Sequence, residues 1–150
     1  MLERMKEILH GNDLCVLATT DGCKPHASLM SYFCGPTVAD VYMLTRRNTR
    51  KHSNIQNNST ISLLVDTRLA HSATPHAGTA ALTVEGTATL LPACEHRDLL
   101  HAMTARLPHL TGFAQDAETV IIHVQVHLLQ LLNGITDMHV IKVDNSGESI

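Results

Sequence analysis

Residues 46–51 read Arg46-Arg47-Asn48-Thr49-Arg50-Lys51 and hold four of the chain's 11 Lys and Arg. This cationic turn follows an apolar run, Val41-Tyr42-Met43-Leu44-Thr45. It precedes a polar stretch around Asn54-Ile55-Gln56-Asn57-Asn58 and a second apolar run, Ile61-Ser62-Leu63-Leu64-Val65. The order predicts strand, turn, short helix, strand. Thr49 stands where a helix N-cap belongs, so free backbone N–H groups would lie beside Arg50 and Lys51. Helix N-termini attract anions, and phosphate is their usual guest. Arg offers a planar fork of donors and Lys a point charge, which suits a phosphate dianion. Two plainer readings stand beside this one. A basic turn at a strand exit also describes a solvated loop, and Thr49 also describes a helix cap with no ligand.

The elements that must position this turn are mostly strands. The 150 residues fit one domain, 1–150, and are enough to bury a core without staples. Apolar residues make up 44%, yet aromatics are only 3% and Trp is absent, so the core must be built from Leu, Val, Ile, Ala and Met. Leu2, Met5, Ile8 and Leu9 recur at helical spacing ahead of Gly11. Leu14–Thr19 and His26–Phe33 read as a hairpin around Asp21-Gly22. Residues 67–78 read as a loop containing Pro75 and Gly78. Residues 80–91 alternate as a half-buried strand, and Gly86 at its middle marks a bulge or bend. Leu99, Leu100, Met103 and Leu107 form a helical stripe that Pro108 ends. Residues 119–132 alternate again, and 139–143 form the last strand; residues 144–150 read as a frayed tail. About seven strands with a few peripheral helices predict a mainly β fold, a closed antiparallel barrel.

The same composition excludes several classes. A net charge of −3 lacks the basic excess of a general nucleic-acid binder. No apolar run is long enough to span a membrane, and the N-terminus lacks a signal core. Cys15, Cys23, Cys34 and Cys94 form no knuckle or redox pair, which points to free thiols and a cytoplasmic location. The 11 histidines are scattered. His71 and His76 flank Pro75 in the loop. His123 and His127 share a strand but stand roughly 13 Å apart by strand rise, too far for one metal ion.

The stretch Thr45-Arg46-Arg47-Asn48-Thr49-Arg50-Lys51, with the Asn-rich helix and the strand after it, resembles the pyridoxamine 5'-phosphate oxidase-like family. The resemblance covers roughly residues 1–133 and implies an FMN-binding split barrel of Greek-key type. It implies that Thr49, Arg50 and Lys51 hold the FMN phosphate. It implies that the strand Ala27-Ser28-Leu29-Met30-Ser31 meets the flavin ring through its backbone, with Ser28, Leu29 and Met30 as contacts. Leu44 and Thr45 are expected on the adjacent strand, lining the same slot. Without the resemblance, Leu29, Met30 and Leu44 would be read as core. A homodimer with its flavin sites at the subunit interface is implied as well. The expected activity is FMN-dependent oxidoreduction of a small molecule, with NAD(P)H as an electron donor. A non-catalytic flavin-binding, stress-response or electron-transfer protein is the alternative, as is a heme-handling member of the same barrel.

Three departures from the oxidases proper count against pyridoxamine 5'-phosphate oxidase activity itself. Those enzymes carry Arg where this chain has Ser28 and Lys where it has Phe33. They also end in an Arg-x-His segment that grips the pyridoxal substrate, and nothing in Ile135–Ile150 resembles it. No catalytic acid or base stands out.

Overall fold

The structure, a computed structural model, describes residues 1–74 and 76–150; Pro75 of the expected loop lies outside the described residues. Helix α1 (Leu2–Gly11) buries Met5, Ile8 and Leu9 on one side, as their spacing requires. Strands β1 (Leu14–Thr20) and β2 (Pro25–Ser31) form the first hairpin. The Asp21 carboxylate accepts from Cys23 N at 2.8 Å and Lys24 N at 2.7 Å, and Gly22 takes φ 101°, so both halves of the Asp-Gly signal are used. Then come β3 (Phe33–Cys34), β4 (Asp40–Arg46), α2 (Arg50–Asn57), β5 (Thr60–Asp66) and β6 (Ala80–Pro92). A 3-10 turn (Ala93–Glu95) leads into α3 (Arg97–Arg106) and the short α4 (Thr111–Ala114). Strands β7 (Thr119–Asn133) and β8 (Asp137–Lys142) follow.

All eight strands pair antiparallel in one curled sheet, in the order β2-β1-β5-β6-β7-β4-β3, with β8 also on β7. Strands β6 and β7 are its spine. The first half of β7 pairs with β4 and the second half with β8. At Glu85/Gly86 the register slips, and this is the bulge that Gly86 announced. A Cβ on Gly86 would lie 2.4 Å from Gln125 O, so only glycine fits where the two strands bend together.

The ladder does not close. Its path ends at β2 and β3, and β2 approaches β4 without pairing with it. The barrel therefore has eight strands and a split, as the family resemblance implied, where the strand count alone suggested a closed barrel of about seven. A barrel closes only if its terminal strands meet over their lengths, and β3 has just two residues with which to reach across. Inside lie Leu17, Met43, Leu63, Leu82, Val84, Ile122, Val124 and Leu129, all fully buried. A second cluster forms outside the sheet, where α3 and α4 cover Leu44 and Ile121 with Met103. This is where the apolar stripe of α3 is used.

The tail is not frayed. The Asp144 carboxylate accepts from Ser146 N, Ser146 Oγ and Glu148 N, and Val143 bridges Ser149. Gly147, at φ 82°, lies buried against Val38 and Ala39. An Asp-x-Ser-Gly turn supplies its own caps, which a reading based on chain ends overlooks. No helix among the described residues is long and apolar enough to cross a membrane.

Candidate functional site

The β4–α2 turn is built around hydroxyls. Thr45 is only 2% exposed, and its Oγ1 lies 3.0 Å from Thr49 Oγ1. The Thr49 hydroxyl donates to Arg46 O at 2.9 Å and accepts from His52 N at 3.3 Å. Thr49 O accepts from Ser53 N, the first helical bond. Thr49 is thus the N-cap of α2, as expected. Its hydroxyl is already committed to the turn, however. The N–H groups of Arg50 and Lys51 are different: neither has an acceptor among the described residues. Those two residues carry the Arg and Lys side chains of the turn, and no carboxylate forms an ion pair with either among the described residues. Asp21 lies close enough to interact with the Arg50 charge without forming an ion pair, so two free donors and two cations outside any ion pair sit within one residue of each other.

The turn is held from both sides. Arg46 forms an ion pair with Asp116, and Arg47 N donates to Glu118 O, which fixes the turn to the entry of β7. The Asp116 carboxyl sits below the usual carboxylate range, because Glu118 N–H and then the Arg46 guanidinium donate to it. A cavity of about 360 Å³ opens between Arg46, Asn48, Thr49 and Glu118. On the other side, Asn54 Nδ2 donates to Thr19 Oγ1 at 3.0 Å and docks α2 on β1. His52 is buried in the first turn of α2; burial, then the nearby Arg47, holds its pKa below the ordinary histidine value.

Helix α2 also approaches β2 and β4, so the turn lies at the split. Strand β2 ends the sheet path, so one of its edges has no ladder partner. Along β2, Met30 is buried, Ser28 is half-buried with its Oγ 3.2 Å from His26 Nε2, and Leu29 is 73% exposed. Thr45 faces Thr49. Leu44, one residue earlier, points the opposite way and packs beneath α3 with Met103. The expectation that Leu44 and Thr45 line one slot therefore fails for the side chains, because consecutive strand residues face opposite sides of a sheet. Phe33 joins the same outer cluster and packs against Tyr42 at 6.3 Å.

With this geometry in place, comparison with known proteins is informative. The sequence matches the pyridoxamine 5'-phosphate oxidase family over residues 1–132. The chain belongs to that family. Among curated protein sequences none resembles it closely enough to count as a match. Solved structures that share its fold include general stress protein 26 of Bacillus anthracis, at 20% identity and TM-score 0.68. There the match covers 95% of this chain and 98% of that one. A heme binding protein of Mycobacterium smegmatis matches at 18% identity and TM-score 0.80, covering 94% of this chain and 57% of that one. A FAD-binding protein of Mesorhizobium loti matches at 17% identity and TM-score 0.71, covering 86% and 91%. At these identities the likeness is one of fold.

Two features of this family member were not visible in its sequence. One is a rung of neighbours on the outer sheet face: Leu29, Val16, Leu64, Thr83, Gln130 and Val140 lie side by side across six strands. Leu29, Leu64 and Val140 are exposed there, as are Leu14 and Leu69, and no helix among the described residues covers them. The other lies on the outside of β4 and β7. His123 Nε2 is 2.6 Å from Asp40 Oδ1, and its ring stacks on Tyr42 at 4.8 Å. His127 meets Thr87 Oγ1 at 2.9 Å. His71 packs beside Gly78 within the loop, and His76 is exposed. No group of metal-ligating side chains forms among the described residues.

Proposed function

We propose that this chain is an FMN-binding flavoprotein and acts as an FMN-dependent oxidoreductase on a small molecule. The observation that carries this reading is the pair of unpaired cations, Arg50 and Lys51, above two backbone N–H groups without acceptors at the mouth of the split. A phosphate dianion needs charge-assisted donors that no other group has claimed. Arg50 and Lys51 would hold it through side chains and backbone, while Thr49 and Thr45 would hold the turn in shape. The unpaired edge of β2, at Ser28, Leu29 and Met30, would offer backbone groups to the pyrimidine edge of the ring, and from β4 Leu44 and Thr45 could contribute only through their backbone, since the Leu44 side chain packs beneath α3. Bound FMN would supply the hydride or electron chemistry, with NAD(P)H as an electron donor.

A homodimer completes the reading. The exposed rung from Leu29 to Val140 adjoins β2, so a second copy seated on it would shield apolar side chains and enclose the flavin between subunits. Four free thiols accord with a reducing, cytoplasmic setting. A second reading, flavin storage or electron transfer without a dedicated substrate, draws on the C-terminal segment. Residues 137–150 are used in β8 and in a turn packed on Val38, not in a substrate grip.

The test is a flavin titration of the wild type and of an Arg50→Ala/Lys51→Ala variant. Each charge-assisted phosphate contact is worth about 1.5–3 kcal/mol. The double variant should therefore lose at least about a hundredfold in FMN affinity while keeping its circular dichroism. Equal affinity of both proteins would remove the clamp. A Soret band instead of a flavin band in the purified protein would favour a heme-handling role. Anaerobic reduction of the bound flavin by NADPH would separate turnover from storage.

A further inference from the structure

A second cavity, of about 470 Å³, borders the cationic turn at Arg47. Its walls come from Arg47 of the turn, from Cys94 and Arg97 at the head of α3, and from Leu100, Asp116 and Thr119. We propose that it is a binding site for a small phosphomonoester, separate from the Arg50–Lys51 clamp.

The charges support this class of ligand. Asp116 is the cavity's one carboxylate, and it is already paired with Arg46. Arg47 and Arg97 have no carboxylate partner and no side-chain hydrogen bond among the described residues. Both arginines are solvent-exposed, and the two guanidinium groups on one cavity suit a phosphomonoester dianion, which brings the matching charge of −2. Thr119 cannot serve as the counterpart: it is buried, and its hydroxyl donates to Phe113 O. Gln115 adds an exposed amide to the wall, and Leu100, with Ala93, Ala114 and Ala117, offers an apolar surface to the body of the ligand. Ligand sites of this kind run from about 300 to 1,000 Å³, with few polar groups on mostly apolar walls. The clamp differs in composition. Its residues Arg50 and Lys51 line no part of this cavity.

Cys94 provides a reporter, since its exposed thiol is part of the wall, and Cys23, exposed in the β1–β2 turn, is an internal reference. The full-length protein is alkylated with iodoacetamide, and the rates at Cys94 and Cys23 are read separately by mass spectrometry. The additions are inorganic phosphate, adenosine 5'-monophosphate or adenosine. Adenosine 5'-monophosphate at ten times its dissociation constant should slow Cys94 about tenfold. Phosphate should slow it too, and adenosine should not; Cys23 should keep its rate throughout. An Arg47→Gln/Arg97→Gln variant should lose the protection, whereas Arg50→Ala/Lys51→Ala should keep it. That last result holds whether or not the clamp binds FMN, so the two proposals stand or fall separately. Equal protection by adenosine, equal slowing of Cys23, or protection that survives the double Gln substitution would overturn the site. The wild-type comparison of the three additions decides the matter even if the double Gln variant does not fold.

Discussion

Replacing Thr49 by Ala removes the hydroxyl on which the β4–α2 turn is built. Two losses follow. His52 N gives up its cap acceptor, which is worth about 1 kcal/mol for an N-cap Thr. Thr45 loses its hydrogen-bond partner while remaining 2% exposed, and a stranded buried hydroxyl costs about 1–3 kcal/mol. The sum is about 2–4 kcal/mol. The second loss disappears if Thr45 is already Val, because no hydroxyl is then left to strand. The Thr45→Val/Thr49→Ala protein should therefore be more stable than additivity requires, by about 1 kcal/mol or more. The chain has no Trp, so guanidinium unfolding is best followed by far-UV circular dichroism at fixed protein concentration. Thr49→Ser serves as the control, since it keeps the hydroxyl and should stay close to wild type in stability and in FMN affinity. Additive losses, within about 0.3 kcal/mol, would mean that the two hydroxyls do not share a bond and that the turn is held by something else.

The same structure sets four further outcomes. Gly86→Ala drives a Cβ to within 2.4 Å of Gln125 O, so it should destabilise the fold by about 3 kcal/mol or more, or prevent folding, as read by thermal melting. Met103→Ala empties the cluster between α3 and the sheet and should cost about 2–5 kcal/mol; a loss below 1 kcal/mol would mean that α3 docks elsewhere. Burial pushes the thiols of Cys15 and Cys34 up to about 12, so at pH 8 a disulfide reagent should titrate only Cys23 and Cys94 quickly, with all four thiols reacting after denaturation. His52 has a pKa lowered in the folded state, so protonation favours the unfolded chain. Stability should be full above the ordinary histidine value of about 6.5, fall as the pH drops through that value toward the depressed folded pKa, and then level off; His52→Gln should remove this component of the pH profile.

Much of the frame was legible because its signals are local. Thr49 as a cap, Asp21-Gly22 as a turn and Gly86 as a bulge each need only a few neighbouring residues to be recognised. The apolar stripe of α3 was equally plain, but its docking place was not. That depends on Leu44 and Ile121, which lie next to each other only because β4 pairs with β7 in one particular register. The split came only from the family resemblance and not from the strand pattern, for a related reason: whether a barrel closes depends on how far its last strand reaches, and Phe33 reads as the end of the strand His26–Phe33. The Asp144 turn was missed where the expectation rested on position in the chain and not on the residues themselves.

The same distinction divides the candidate site. The proposed phosphate end is one continuous stretch, Thr45 to Lys51, and could be read off directly. The other wall of the proposed site cannot be read that way. Leu29, Leu64 and Val140 are far apart along the chain, and each looks like an ordinary strand residue. They become one surface only through the ladder that carries Leu29 to Val16, Leu64, Thr83, Gln130 and Val140 in turn. A charge placed in the middle of that rung, Leu64→Lys, therefore tests what a local reading could not reach. It leaves the fold alone, since Leu64 faces outward, and sets two like charges near each other if a second copy docks there. Sedimentation should show a monomer with weakened FMN binding although the clamp is untouched. A dimer that binds FMN as the wild type does would place the subunit contact, and the far side of the flavin, on another face.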